Sequence, residues 1–179
     1  MERHGSRGIV VILAMTDENK VLLVEQYRRP VNKNVIEYPA GLMGDHPGCR
    51  RETAVSAAKR ELLEETGYRA RRIAPVTEGP SASGSSAVIL TFVRALDIQK
   101  IHEGGGDPTE SIIVHEVALK DVPHWITQKR RQGCLVDPKI YAGLYFLNIY
   151  NCIEFTPNPH KNRRSSSHGK SHRRTGKRG

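Results

Sequence analysis

The sequence predicts an α/β fold of the α+β type, in which a mixed β-sheet is sandwiched between α-helices. Three observations lead to this prediction. Short apolar and β-branched segments recur between residues 8 and 118, as expected for strands. A segment rich in Ala, Leu, Glu and Lys at residues 52–66 has strong helical propensity. The strands and helices do not alternate regularly, which argues against a parallel sheet built from βαβ units.

The strands are predicted from apolar runs that are bounded by turn residues. Residues 8–15 form a continuous apolar run, which is typical of a strand buried on both faces. The turn-forming sequence Asp17-Glu18-Asn19 follows, and residues 20–27 are predicted to return as the second strand of a hairpin. Further strands are predicted at residues 35–38, 86–96 and 111–118, with loops at about 39–50 and 104–106.

Three helices are predicted. The first covers residues 52–66 and ends before Gly67, a residue that readily adopts the left-handed conformation found after helices. The second lies around residues 122–131. The third begins at Asp137-Pro138, where a capping residue precedes a proline at the first helical position.

The net charge of +9 is unevenly distributed along the 179 residues. Residues 156–179 hold eight Lys or Arg residues and no acid, so that removing them leaves +1 for residues 1–155. We therefore expect one folded domain at 1–155 and a basic, disordered tail at 156–179. The tail has too few apolar side chains to offset its ordering entropy. Such a tail can bind polyanions weakly and without reading sequence.

The sequence shows neither a membrane span nor an export signal. No apolar run approaches the roughly 18 residues that a membrane helix needs. The apolar run at residues 8–15 leads into a polar turn without a cleavage-like site. Cys49, Cys134 and Cys152 show no zinc-like spacing. We expect a cytoplasmic protein with reduced thiols.

The first helix carries a cluster of acidic side chains. Glu61, Glu64 and Glu65 stand at i, i+3 and i+4, so they share one helix face. Like charges at this spacing repel one another, and a hard divalent cation such as Mg²⁺ would offset the repulsion. Arg60 lies four residues before Glu64 and can orient it. From these residues alone, a solvated face with ordinary ion pairing remains the alternative.

The wider pattern around this cluster favours the metal site. Glu52, seven intervening residues and then Arg60-Glu61-Leu62-Leu63-Glu64-Glu65-Thr66-Gly67-Tyr68 resembles the Nudix box. One departure is that His46 occupies the position of the opening glycine of the box. The counterpart is Gly41, which implies about five additional residues in the preceding loop.

The resemblance extends from about Gly8 to Asn151 and points to one branch of the Nudix family. The stretches Val24-Glu25-Gln26-Tyr27-Arg28-Arg29-Pro30 and Val35-Ile36-Glu37-Tyr38-Pro39-Ala40-Gly41 look like those of ADP-ribose pyrophosphatases. The resemblance implies a metal site for Mg²⁺, with Mn²⁺ as the alternative, formed by Glu61, Glu65, Glu64 and the carbonyl of Ala40. It also implies that Arg28 or Arg29, together with Glu37, contacts the nucleotide or its diphosphate.

The implied reaction is metal-assisted hydrolysis of the pyrophosphate bond of a nucleoside diphosphate sugar, with ADP-ribose as the first choice. The family draws a catalytic carboxylate from a late loop, and Glu110 matches that residue, with Asp107 as the second choice. Glu64 and Arg60 complete the implied catalytic set. Homodimerisation is also implied by the resemblance, although this chain begins close to the core and lacks the extra N-terminal strands of its relatives.

Three alternatives remain at this point. GDP-mannose or another nucleoside diphosphate sugar could be the substrate, because the turn Ser81-Ala82-Ser83-Gly84 departs from the proline-containing turn of ADP-ribose hydrolases. The basic tail raises the possibility of an RNA cap or 5′-end pyrophosphohydrolase, but it lacks aromatic residues for base stacking. A non-catalytic Nudix binding module would have no need of mutually repelling acids, which argues against that alternative.

Overall fold

The computed structural model describes residues 8–44, 52–106 and 111–150, and within these ranges the chain forms eight strands and three α-helices. The strands are β1 (Ile9–Ala14), β2 (Lys20–Arg28), β3 (Lys33–Glu37), β4 (Ala40–Leu42), β5 (Tyr68–Pro80), β6 (Ile89–Lys100), β7 (Ile112–Ala118) and β8 (Leu135–Val136). The helices are α1 (Ala54–Thr66), α2 (Val122–Arg131) and α3 (Lys139–Tyr150). Short 3₁₀ turns lie at Arg29–Val31 and Leu119–Asp121.

The strands form two mixed sheets of four strands each in the described part of the chain. The first has the order β4-β1-β6-β5, in which β1 pairs antiparallel with β4 and parallel with β6. The second has the order β7-β2-β3-β8, in which only β3 and β8 are parallel. The predicted α/β class with mixed pairing is confirmed, but the strands divide into two sheets.

The predicted hairpin between β1 and β2 is wrong, because the two strands belong to different sheets. Within residues 8–44, a single isolated β-bridge connects the two segments, from Met15, just after β1, to Val21 of β2. The turn between them forms as expected, with Asn19 in the left-handed region at φ 57° and its N–H bonded to the carbonyl of Thr16. A continuous apolar strand carries no alternation to indicate its partner, and β1 pairs instead with β6, which begins 80 residues later.

The central strand β1 is buried on both faces, as its sequence predicts. Val11 and Leu13 face a core cluster that also contains residues of α2 and α3, whereas Val10 and Ile12 face a second cluster that contains α1. Helix α1 contributes Ala57, Ala58 and Leu62 to the second cluster, all of them fully buried. The small alanines allow this helix to pack closely against the strands.

Tyr38, which lies between β3 and β4, packs against α3. Its ring packs against Gly143 of α3 so closely that a Cβ at Gly143 would lie 2.2 Å from the ring. Its hydroxyl donates a hydrogen bond to the carbonyl of Ile140 at 3.3 Å. Burial raises the pKa of the Tyr38 phenol above its usual range, so it remains a neutral donor. The chain immediately after Tyr38 is thereby fixed.

The three predicted helices are all confirmed, and each begins within a few residues of its predicted start. Three strands were not predicted, namely β4 within the expected loop, β5 directly after α1, and the two-residue β8. Within the described ranges, no helix is long and apolar enough to cross a membrane. The predicted tail at 156–179 lies outside the described residues, as do Asp107 and Glu110.

Candidate active site

Helix α1 brings the acidic side chains to the candidate site. The helix begins after Thr53, whose side-chain oxygen accepts a hydrogen bond from the N–H of Ser56 at 3.2 Å. It ends at Gly67, which adopts φ 75° and donates its N–H to the carbonyl of Leu63. Since the alanine face is buried in the core, the glutamates on the neighbouring face meet β4 and the chain around it.

Glu61 lies directly against Gly41 of β4. A Cβ built on Gly41 would lie 1.8 Å from the carboxylate oxygen Oε1 of Glu61, so any side chain at this position would collide with the carboxylate. The Glu61 side chain is 14% exposed, which leaves the carboxylate mostly enclosed. This contact supports Gly41 as the counterpart of the glycine that opens the Nudix box. His46 lies outside the described residues.

Glu65 is held by Ala40, the residue that precedes Gly41 in β4. Its carboxylate oxygen Oε2 accepts a hydrogen bond from the N–H of Ala40 at 3.1 Å, and the residue is only 6% exposed. Consequently Ala40 and Gly41 contact two of the three predicted metal-binding glutamates. Glu64 is the most open of the three, with 47% of its side chain exposed.

Arg60 is ion-paired with two of the three glutamates. Its Nη1 lies 2.8 Å from Glu61 Oε1 and 3.1 Å from Glu64 Oε2. Burial alone would lower the pKa of Arg60, but the hydrogen bonds and charges of Glu52 and Glu61 outweigh burial and raise it above its usual range. Arg60 therefore stays charged and orients both glutamates, as the sequence suggested for Glu64.

Glu52 is a structural member of the site that was not predicted. Its carboxylate accepts hydrogen bonds from Nε and Nη2 of Arg60 at 3.1 and 3.2 Å, and from the N–H of Gly44 at 3.0 Å. Arg60 Nη2 also donates to the carbonyl of Leu42. The side chain of Glu52 is 4% exposed. The available signal was the place of Glu52 in the Nudix-box pattern, with seven residues between it and Arg60.

The donor set is chemically suited to a hard divalent cation. The three glutamates supply carboxylate oxygens, which Mg²⁺ and Mn²⁺ both accept as ligands. Across residues 8–44, 52–106 and 111–150, no three His, Cys, Asp or Glu side chains converge as a complete ligand set. The reason is visible in the contacts, since Arg60 bonds to Glu61 and Glu64 while Glu65 turns toward the N–H of Ala40.

Two of the predicted substrate-binding residues are paired with each other. Arg28, at the end of β2, places Nε and Nη2 at 2.8 and 2.7 Å from Oε2 of Glu37 on β3. The Arg28 side chain is 42% exposed, so its outer face remains available. Arg29 begins the exposed 3₁₀ turn that follows β2. The geometry therefore favours Arg28 over Arg29, a choice that the sequence left open.

Comparisons with known proteins agree with this architecture. The NUDIX domain model matches residues 5–133. The chain is 34% identical to the ADP-ribose pyrophosphatase of Bacillus subtilis (strain 168), over 82% of this chain and 75% of the relative. It is 31% identical, with the same coverage, to the methanol dehydrogenase activator of Bacillus methanolicus. It is 27% identical to the GDP-mannose pyrophosphatase of Yersinia pestis (strain Pestoides F), over 78% of this chain and 72% of the relative.

A solved structure has a similar fold. The crystal structure of an ADP compounds hydrolase superimposes with a TM-score of 0.61 and covers 80% of this chain and 71% of that chain. The sequence identity is 20%, so this comparison supports the fold alone.

Proposed function

This chain belongs to the Nudix hydrolase family, and we propose that it hydrolyses the pyrophosphate bond of ADP-ribose, yielding AMP and ribose 5-phosphate. The observation that carries the proposal is the contact of Glu61 with Gly41 and of Glu65 with Ala40. These contacts gather hard oxygen donors at the β4–α1 junction. The 34% identity to an ADP-ribose pyrophosphatase supports the choice of substrate.

Glu61, Glu64, Glu65 and the carbonyl of Ala40 would hold the divalent cation, which the family generally requires. When bound, the cation neutralises the diphosphate and lowers the pKa of a coordinated water. We propose Mg²⁺, with Mn²⁺ as the alternative. Arg60 orients Glu61 and Glu64 through the hydrogen bonds described above.

The remaining groups bind the substrate and move a proton. Arg28 can donate two parallel hydrogen bonds to a phosphate, and Glu37 holds its guanidinium in place. Glu110, which lies outside the described residues, is proposed to accept the proton of the attacking water. Attack on phosphorus then breaks the bond to the bridging oxygen, which leaves with one of the two monophosphate products.

GDP-mannose is the second candidate substrate, because a GDP-mannose pyrophosphatase is also among the relatives. We further propose that the enzyme is a homodimer and acts in the cytoplasm. The free thiol of Cys134 is in keeping with a cytoplasmic location. Neither statement affects the assignment of the reaction.

A hydrolysis screen tests the proposal. ADP-ribose, GDP-mannose and a capped RNA are each incubated with the full-length chain and Mg²⁺, and the monophosphate products are quantified. We expect the highest kcat/KM for ADP-ribose. A preference for GDP-mannose would change the substrate but keep the reaction, whereas no hydrolysis of either sugar nucleotide would overturn the proposed function.

A further inference from the structure

The carboxyl end of α1 is contacted by a short glycine-rich segment. Residues 101–106, which we call the glycine clasp, lie between β6 and the residues outside the described ranges. The N–H of Gly105 donates to the carbonyl of Glu65 at 2.9 Å, and the N–H of Gly106 donates to the carbonyl of Glu64 at 3.1 Å. The clasp therefore contacts the backbone of two proposed metal-binding residues.

The packing of the clasp leaves no room for a side chain at its centre. Gly104 adopts φ +73°, and a Cβ there would lie 2.4 Å from the carbonyl carbon of Thr66 and 2.6 Å from the carbonyl oxygen of Glu65. Both atoms belong to backbone, which cannot move aside as a flexible side chain can. On the other side of the contact, a Cβ at Gly67 would lie 1.9 Å from the carbonyl oxygen of His102.

The clasp offsets an unfavourable electrostatic interaction at the carboxyl end of α1. The carboxyl end of a helix carries partial negative charge on its unpaired carbonyls, which disfavours nearby anions. Glu64 and Glu65 lie in the last turn of α1, and that turn contains no basic residue. The N–H groups of Gly105 and Gly106 pair with the carbonyls of these two residues and so reduce the unfavourable field.

We propose that the glycine clasp is a positioning element that holds the last turn of α1 in the geometry needed for divalent-cation binding, an inference that rests on the proposed function. Gly104 is the clasp residue to test, because a side chain there would collide with the backbone of Glu65 and Thr66. The clasp contributes no ligand of its own. Its effect on the cation is transmitted through Glu64 and Glu65.

Two alanine variants at glycines with positive φ angles test the proposal. Gly133 has φ +94°, but a Cβ there would meet no atom within 4 Å. Gly133→Ala lies beyond α2, away from the clasp. Both alanines are strained at a positive φ, but only Gly104→Ala forces the clasp away from α1.

Mn²⁺ affinity of each variant is measured by calorimetry, alongside kcat for ADP-ribose and thermal unfolding. We expect Gly104→Ala to weaken Mn²⁺ binding at least tenfold, while Gly133→Ala stays within threefold of the wild type. A folded Gly104→Ala protein with Mn²⁺ affinity within threefold of Gly133→Ala would overturn the positioning role. Absence of Mn²⁺ binding in the wild type would instead contradict the proposed function.

Amide hydrogen exchange of the wild type keeps the proposal testable if Gly104→Ala does not fold. Because coupling between two sites is reciprocal, Mg²⁺ should slow exchange at Gly105 and Gly106. The control is Gly133, whose N–H bonds to the carbonyl of Arg130 after α2 in a comparable way. Equal exchange at Gly105 with and without saturating Mg²⁺ would overturn the proposal.

Discussion

The carboxylate of Glu61 rests on the bare Cα of Gly41, at a distance that no residue with a Cβ permits. This contact joins the acidic helix to strand β4 across 20 residues of sequence. It also accounts for a glycine at position 41, where any side chain would collide with the carboxylate of Glu61.

Gly41→Ala should therefore impair metal binding more than folding. The new Cβ meets the end of the flexible Glu61 side chain, which can turn away while the backbone stays in place. We expect kcat for ADP-ribose to fall at least tenfold at a fixed Mg²⁺ concentration, with a thermal midpoint close to that of the wild type. Gly79→Ala is the control, because a Cβ at Gly79 meets nothing within 4 Å. Equal activity of the two variants would contradict the account.

Glu110→Gln should lower kcat more than it changes KM. A group that accepts a proton in the transition state contributes little to ground-state binding. Steady-state kinetics with ADP-ribose provide the measurement, and Asp107→Asn is the comparison. If Asp107→Asn is the damaging change and Glu110→Gln has no effect, the proton acceptor has been assigned to the wrong loop residue.

Elements with strong local signals were predictable from the sequence, whereas elements that depend on pairing with distant segments were not. Helix α1 was predictable because its signals are contiguous, from the run rich in Ala, Leu, Glu and Lys to the left-handed Gly67. Strand β5 was missed because Arg69, Arg71 and Arg72 interrupt its apolar residues, as is common on the edge of a sheet. Its pairing with β6 over eleven residue pairs stabilises what local propensity does not indicate.

In the candidate site, too, the local features were predictable from the sequence and the contacts between distant segments were not. Helical periodicity places Glu61, Glu64 and Glu65 on one face without any structure. The contacts of Glu61 with Gly41 and of Glu65 with Ala40 depend on how β4 packs against α1, and no local pattern encodes that packing. The pairing of Arg28 with Glu37 depends in turn on the register between β2 and β3.

Acid should destabilise the protein through Glu25. This β2 residue is bonded to Lys129 of α2 and lies apart from the proposed active site. Burial alone would raise the pKa of Glu25, but hydrogen bonds from Lys129, Asn34 and His115 outweigh burial and bring it to about 2. Because the folded pKa lies below the ordinary value of 4.5, the stabilisation is present above pH 4.5 and is lost as the pH falls toward 2.

Urea unfolding of the wild type and of Glu25→Gln measures this effect. The stability difference between the two proteins should narrow by about 2 kcal/mol between pH 6 and pH 3. Carboxylates that do not contact Glu25 titrate alike in both proteins, so their effect cancels in the difference. A constant difference across this range would show that Glu25 titrates with the same pKa in the folded and unfolded protein.

Truncation after Phe155 should leave catalysis unchanged. The removed tail carries eight basic residues and none of the residues assigned to the site. Its charge acts on polyanions over a screening length of about 8 Å at about 0.15 M salt. The measurement is kcat/KM for ADP-ribose and GDP-mannose with both chains at that salt concentration. A tenfold loss on truncation would mean that the tail contacts the substrate.

The most direct test of the central claim is the turnover of ADP-ribose by Glu61→Gln and Glu65→Gln at saturating Mg²⁺. Each change keeps the shape of the side chain and removes the charge that a hard cation requires. Glu18→Gln, an exposed glutamate on the turn before β2, is the control. We expect both site variants to lose at least 99% of wild-type kcat, roughly 3 kcal/mol of transition-state stabilisation, while their folds stay intact. Near-normal turnover by both variants would contradict the assignment of the metal site to α1.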